Sequence, residues 1–469
     1  MQQFNFRMET ESSAAPALYE WATHFCTGAH AFNVDVTNSS SNAAREDFFN
    51  NAVDIAVTSV RPKASEMAGH PRPFSVVPLD LNAVVLAYNI TDSKTNKQIT
   101  DLTLSPRLVA RLISDSQVST MFNDPEFQKL NPGHSWPITM ADPGLRGEEN
   151  ADTWILTNWV EGSKNARALL KGHDKYGVRV NPAWKNVQYP TDLFDARDPN
   201  GVYLPRTGEE GVAQRLFAQT NPADSVPTDP LDAGQIGVLD LPTAQRFKLP
   251  IAKLTNGPGS PVVSVTPASL AAGFANMTKS PGGFYSMPAT VSAPGVYPLT
   301  KVDSAMVPPK LTGSPQDLRI RAFLDYAAVA GQATLPPGYA QFPTALQTQT
   351  LKYTGDLSLL PPPTTTTTTT TAPPADSGGG GSSFTGSSTD YSSGSNSYVP
   401  SATVATTPTT KSSNHVVKVT KTVEPKHVKF VAISLPDTGD RFALPIVFLL
   451  ALLALAGWGV DAVYRRVRR

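Results

Sequence analysis

Apolar positions along the first three quarters of the chain switch repeatedly between two spacings. In "PALYEWATHFCTGA" (16–29) they recur every three or four residues, which predicts an amphipathic helix, and "FNVDVT" (32–37) then alternates as a strand does. The same pair returns as "NAAREDFFNNA" (42–52) followed by "VDIAVTS" (53–59). "LNAVVLAYN" (81–89) is mostly apolar and predicts a strand of the buried, parallel-sheet kind. "SPRLVARLISD" (105–115) predicts a helix capped by Ser105, and "DLRIRAFLDYAAVA" (317–330) another. Alternating helices and strands predict an α/β fold, with helices covering a largely parallel sheet.

After about residue 355 the pattern stops. "PPPTTTTTTTTAPPADSGGGGSSFTGSSTDYSSGSNSYVPSATVATTPTT" has almost no large apolar or charged residue. Such a stretch cannot bury enough surface to offset chain entropy, so residues 356–434 are expected to be a disordered spacer. Apolar character then returns as one block, "ALPIVFLLALLALAGWGV" (443–460), followed by "YRRVRR". A block of that length predicts one transmembrane helix, and the arginines place its end on the cytoplasmic side, with the N-terminal domain outside.

Composition narrows the function classes. The 469 residues hold 39 Lys plus Arg and 39 Asp plus Glu, so no overall basicity points to nucleic acid. The single cysteine, Cys26, lies in an apolar stretch and is expected to be a buried structural thiol. No Cys/His cluster has metal-ligand spacing, and no nucleophile elbow, zinc-protease, phosphate-loop or dinucleotide motif is present. These features favour binding over catalysis and call for no cofactor. Residues 1–30 lack the basic start and apolar run of an export signal, which is therefore expected upstream of Met1.

The ordered succession of "SSAAPALYEWA", "VDIAVTSVRP", "VVPLDLNAVVLAYNI", "LTLSPRLVARLIS" and "FNDPEFQKLNPG" resembles the phosphate-binding proteins of ABC importers. "IGVLDLPTA", "VYPLTKVDSAMVP" and "FLDYAAVAGQATLPPGYAQFPTAL" continue the resemblance in the same order. It implies a two-lobed, type II periplasmic-binding-protein fold with a hinge over residues 1–355. One lobe would take about 1–88 and 290–355, and the other about 89–289. The ligand would be inorganic phosphate or another oxyanion, enclosed by lobe closure, and the partner an ABC permease.

Family members hold the anion with helix-start amides, hydroxyls, an arginine and an aspartate. Carried over, the resemblance implies ligand-binding roles for Ser13 with Ala14, for Ser41 with the amide of Asn42, and for Ser59. Ser59 stands where the family has its aspartate, and Ala14 where an aromatic residue is common. The family's arginine and its Ser-Gly-Thr triplet are missing from "ITMADPGLRGEENADTW", where Met140 takes the arginine's place. Arg146 either substitutes for that arginine or lies on a solvated loop paired with Glu148 and Glu149.

"LPDTG" resembles the sorting motif of Gram-positive surface proteins, because an apolar span and a basic tail follow it. The motif is Leu435, Pro436, Asp437, Thr438 and Gly439. The resemblance implies cleavage by a sortase and linkage of Thr438 to peptidoglycan, with membrane contact through 443–460. Two functions follow: an anchored oxyanion receptor, or a surface-displayed interaction, sensor or adhesin protein with a degenerate pocket.

Overall fold

The computed structural model describes residues 5–27, 31–69, 71–194, 208–218 and 233–359. They fall within one compact unit. The spacer beyond 359, the sorting motif Leu435 to Gly439 and the apolar span 443–460 lie outside the described residues. Among the described residues no helix is long and apolar enough to cross a membrane.

The first strands and helices alternate as their periodicity predicts: β1 (Phe6–Glu11), α1 (Ala15–His24), β2 (Val34–Ser39), α2 (Ser41–Phe49) and β3 (Ile55–Thr58). The long strand β4 (Ser75–Asn89) follows, then α3 (Pro106–Ile113), β5 (Thr139–Met140), α4 (Ala151–Gly162), α5 (Glu209–Ala218), β6 (Ala233–Asp240), α6 (Leu241–Arg246) and β7 (Thr300–Val307). Two helices, α7 (Pro315–Ala328) and α8 (Thr344–Thr354), end the unit. Local chemistry sets the helix starts. Ser105 accepts from the Leu108 amide with Pro106 behind it, and Ser314 forms a reciprocal capping box with Asp317.

The main sheet has the order β2-β1-β3-β7-β4-β6-β5. β1 runs parallel to β2 and β3, and β5 parallel to β6. The three central pairings, β3 with β7, β7 with β4 and β4 with β6, are antiparallel. The sheet is therefore mixed, not largely parallel, and "LNAVVLAYN" is antiparallel to both neighbours. Its apolar character comes from its central position, which buries both faces whatever the strand direction.

β4 is long enough to serve two partners. Its first part, from Ser75 to Ala83, pairs with β7, and its second, from Val84 to Asn89, pairs with β6. Apolar packing divides at the same place. An N-terminal core gathers Phe6, Met8, Trp21, Ile55, Leu79 and Phe323, while a larger one gathers Val84, Tyr88, Leu108, Phe127, Trp159 and Ile236. In the first core the Trp21 indole donates to the carbonyl of Gly331, 2.8 Å away. A Cβ at Gly331 would lie 2.7 Å from that indole nitrogen, so the close approach needs glycine. Cys26 is exposed, contrary to the buried thiol expected, because α1 ends at His24 and the chain turns outward before it.

Candidate functional site

β4 and β7 run side by side through the junction of the two cores. Their register sets Asp80 opposite Asp303 and Asn82 opposite Lys301. Because alternate residues of a strand share a face, all four point to one side of the sheet. Like charges directly opposite each other destabilise a sheet, so the Asp80–Asp303 pair needs compensation. Asn82 supplies part of it, donating from Nδ2 to Asp80 Oδ1 (2.6 Å) and to Asp303 Oδ2 (2.8 Å). The Lys301 ammonium supplies more. It donates to Ser13 Oγ (2.7 Å) and to Asp152 Oδ1, and lies 3.4 Å from Glu11 Oε1 and 3.7 Å from Asp303 Oδ1. Ser13 in turn hydrogen-bonds Asp303 Oδ2 at 2.7 Å.

Asp152, in the first turn of α4, joins this group to a second one. Arg146 Nη1 lies 3.5 Å from Asp152 Oδ2 and 3.1 Å from Glu209 Oε2, while Arg146 Nε pairs with Glu148. Glu209, at the start of α5, also accepts from the Asp240 amide. Asp240 closes β6 and caps α6 through Oδ1, which accepts from the Thr243 amide at 2.7 Å.

All the principal members are buried: Glu11, Asp80, Asp152, Asp240, Asp303, Glu209, Lys301 and Arg146 are each at most 4% exposed. Six carboxyl groups thus face two cations in a volume shielded from water. Burial disfavours the charged form of each carboxyl. It pushes Glu11 up to about 7 against the pull of Lys301, and Asp80 up to about 7 against Asn82 and Lys301. Asp303 rises to about 6 for the same reason. Glu209 and Asp240 are also raised, first by burial and then by neighbouring carboxylates. Burial alone would lower Lys301, but Asp152, Asp303 and Glu11 outweigh it and hold the ammonium well above its ordinary value.

The residues singled out from sequence take varied places around this network. Ser13 is in it, bonded to both Lys301 and Asp303. Ala14 is buried beside it at the start of α1 and offers no side-chain bond. Ser41 is the first residue of α2, whose cap is Ser40, and its hydroxyl accepts from the Ala151 amide at 2.7 Å. Asn42 accepts from Arg45, which is clamped on Glu66. Ser59 is buried after β3, and its hydroxyl meets no hydrogen-bond partner among the described residues. Arg146 is not on a solvated loop. It is buried and held by Glu148, Asp152 and Glu209 together, only the first of which is its sequence neighbour.

Lys301, Asp303, Asp80, Asn82, Glu11, Asp152, Glu209 and Asp240 were not singled out from sequence. A signal existed for four of them: "LDLNAV" and "LTKVDSAMV" put polar residues at alternate positions of otherwise apolar runs. Two such residues on one face of a buried strand need partners, and so mark a polar site.

At the starts of α2 and α4 side chains already take some of the free amides, whereas α1 has no side-chain cap. The amide of Ala43 is taken by Ser40, that of Ala151 by Ser41 and that of Thr153 by Asn150. Where a dianion would need donors and positive charge, the junction offers mainly acceptors and carboxylates.

Residues 2–169 match the model of the PBP superfamily domain. A search of curated proteins found none that matches. Among solved structures, the chain is similar to the high-affinity periplasmic phosphate-binding protein PfluDING, with 14% identity and a TM-score of 0.48 over 74% of this chain and 93% of that one. It is similar also to a phosphate-binding protein from Stenotrophomonas maltophilia, with 13% identity and a TM-score of 0.46, covering 73% and 92%. For an ABC-type phosphate transport receptor from Vibrio cholerae the figures are 12% and 0.38, covering 72% and all of that chain. At this distance the likeness says nothing of what this chain binds.

Proposed function

We propose that the protein is a non-enzymatic binding scaffold of the solute-receptor type, shown at the cell surface as an interaction or sensor protein, with a junction site unsuited to free phosphate. The two cores act as lobes, and β4 and β7 as the strands joining them. The observation that carries this reading is the six buried carboxyl groups against two buried cations where the two cores meet. A phosphate dianion entering there would meet carboxyl groups that outnumber the cations, in a medium of low dielectric. It would also have to displace Asp152 from Lys301.

Surface display rests on residues 435–469, in which a sortase would cleave after Thr438 and join it to peptidoglycan. An ABC permease is the partner of the rival reading, an anchored oxyanion receptor. Calorimetry of the full chain in detergent against phosphate and sulfate separates the two. The expected result is no saturable heat. Micromolar binding of either anion, lost in Lys301→Met, would establish the receptor instead. For the anchor, mass spectrometry of wall fragments from a Gram-positive host should find chains ending at Thr438; chains retaining Gly439 in every fraction would remove the sortase step.

A further inference from the structure

Three of the buried carboxylates differ from the rest in how they are grouped. Asp152 on α4, Glu209 on α5 and Asp240 at the end of β6 each offer one oxygen, and these three atoms lie within 4.8 Å of one another. Two oxygens bound to one calcium ion at about 2.4 Å are at most about 4.8 Å apart, so the set is near the size of a coordination sphere. The three residues are 3%, 4% and 0% exposed.

A second observation shows an unmet need at the same place. Asp240 spends Oδ1 on the cap of α6, and its Oδ2 has no hydrogen-bond partner although the residue is fully buried. Among the described residues no Lys or Arg nitrogen is within ion-pair distance of Asp240. Arg146 bridges the other two members through Asp152 Oδ2 and Glu209 Oε2, and Lys301 holds Asp152 Oδ1. An ionised buried oxygen with neither donor nor cation is costly. Each carboxylate oxygen has two lone-pair sites, so the bonds from Arg146, Lys301 and the Asp240 amide leave room for a further ligand.

We propose that Asp152, Glu209 and Asp240 form a binding site for one divalent cation of the oxygen-preferring class, calcium, magnesium or manganese. An all-carboxylate set without nitrogen or sulfur selects hard cations, and water would complete the shell. The ion would tie α4, α5 and the β6–α6 corner together beside the junction, and would supply positive charge the chain itself lacks. The inference rests on the acid-rich reading of the junction given above. Protons are the rival occupants, since Glu209 and Asp240 are both raised by burial.

The full chain, stripped with chelator and dialysed, is titrated near neutral pH with calcium, magnesium and manganese chlorides in turn. At least one should bind at a single site with Kd at or below roughly 1 mM, the weak end for extracellular calcium modules. Binding should raise the unfolding temperature and release protons. Asp240→Asn keeps a side chain able to cap α6 and should weaken binding roughly tenfold or more. Lys63→Ala, which removes exposed pairs with Glu149 and Asp192 outside the network, should bind as the native chain does. Should Asp240→Asn not fold, Asp152→Asn is read in its place, and manganese paramagnetic resonance counts bound ions on the native chain. No saturable binding by any of the three ions would overturn the proposal, as would native affinity in both variants. Phosphate heat in metal-free protein would instead overturn the functional reading and leave the cation site standing.

Discussion

Two buried ionic networks lie within this one compact unit, and they are built to opposite rules. Under α3, Arg107 and Arg111 meet Asp124, Glu126 and Asp174. Arg107 pairs with Asp174 at 2.6 Å and Asp124 at 3.0 Å, and Arg111 with Asp124 at 2.9 Å. Lys175 adds a third cation 3.5 Å from Glu126, so charges balance. Asp124 also caps the helix Pro125–Leu130, and Asp174 accepts from the Val178 and Tyr176 amides. Burial would raise the Asp174 carboxyl, but Arg107 and those amides hold it below its usual range. At the junction, six carboxyls share two cations, and those for which a shift is resolved move upward. A balanced network holds a fold together. An unbalanced one leaves a demand for protons or cations, and a site can be built on that demand.

The comparison can be broken most directly in the balanced network. Asp124→Ala should cost about 3–5 kcal/mol in denaturant unfolding, because it leaves two buried guanidinium groups short of a partner. A loss under about 1 kcal/mol would show that water reaches the network. Next in size, Lys301→Met should cost about 3 kcal/mol near pH 8 by leaving its carboxylates without a counter-charge. That cost should shrink toward about pH 5, below the values of about 7 and 6 at which Glu11 and Asp303 take up protons. An effect independent of pH would mean that Lys301 matters by packing alone.

The third test uses the opposite sign. Glu11, Asp80 and Asp303 are raised to about 7, 7 and 6 from ordinary values of 4.5, 3.8 and 3.8. Between those limits the folded chain binds more protons than the unfolded one. In metal-free buffer, stability should therefore fall as pH rises from about 4 to about 7. Asp80→Asn removes one of the crowded charges and keeps an acceptor for Asn82. It should stabilise the chain by about 1 kcal/mol at neutral pH and flatten that slope, where Asp124→Ala destabilises. Destabilisation by Asp80→Asn at neutral pH would refute charge crowding at the junction. Smallest of all, Lys63→Ala removes exposed pairs with Glu149 and Asp192 and should change stability by less than about 1 kcal/mol.

Local structure was largely legible in the chain. The helices α1, α2, α3 and α7 and the strands β2 and β3 lie where the spacing of apolar residues places them, and Ser105 caps α3 as expected. Strand direction was not legible. An apolar run such as "LNAVVLAYN" reports burial on both faces, which a central antiparallel strand shares with a parallel one. The anion site was read from residues near helix starts, and only Ser13 proved to be bonded directly to Lys301. The other members of the junction are far apart in sequence. Lys301 reaches back to Ser13 and Glu11 and across to Asp152, none of which any local pattern connects to it.

The sequence by itself determined the alternating elements, the end of the compact pattern near residue 355 and the motif-span-tail order of the last residues, because each follows from local composition and periodicity. Only the tertiary structure decided that Asp80 faces Asp303, that Arg146 is buried among three carboxylates, and that Asp152, Glu209 and Asp240 converge. A charge in a sequence has a sign but no dielectric surroundings. Strand register and burial supply those surroundings, and they turned a balanced composition of 39 cationic and 39 acidic residues into a junction where six carboxyl groups share two cations.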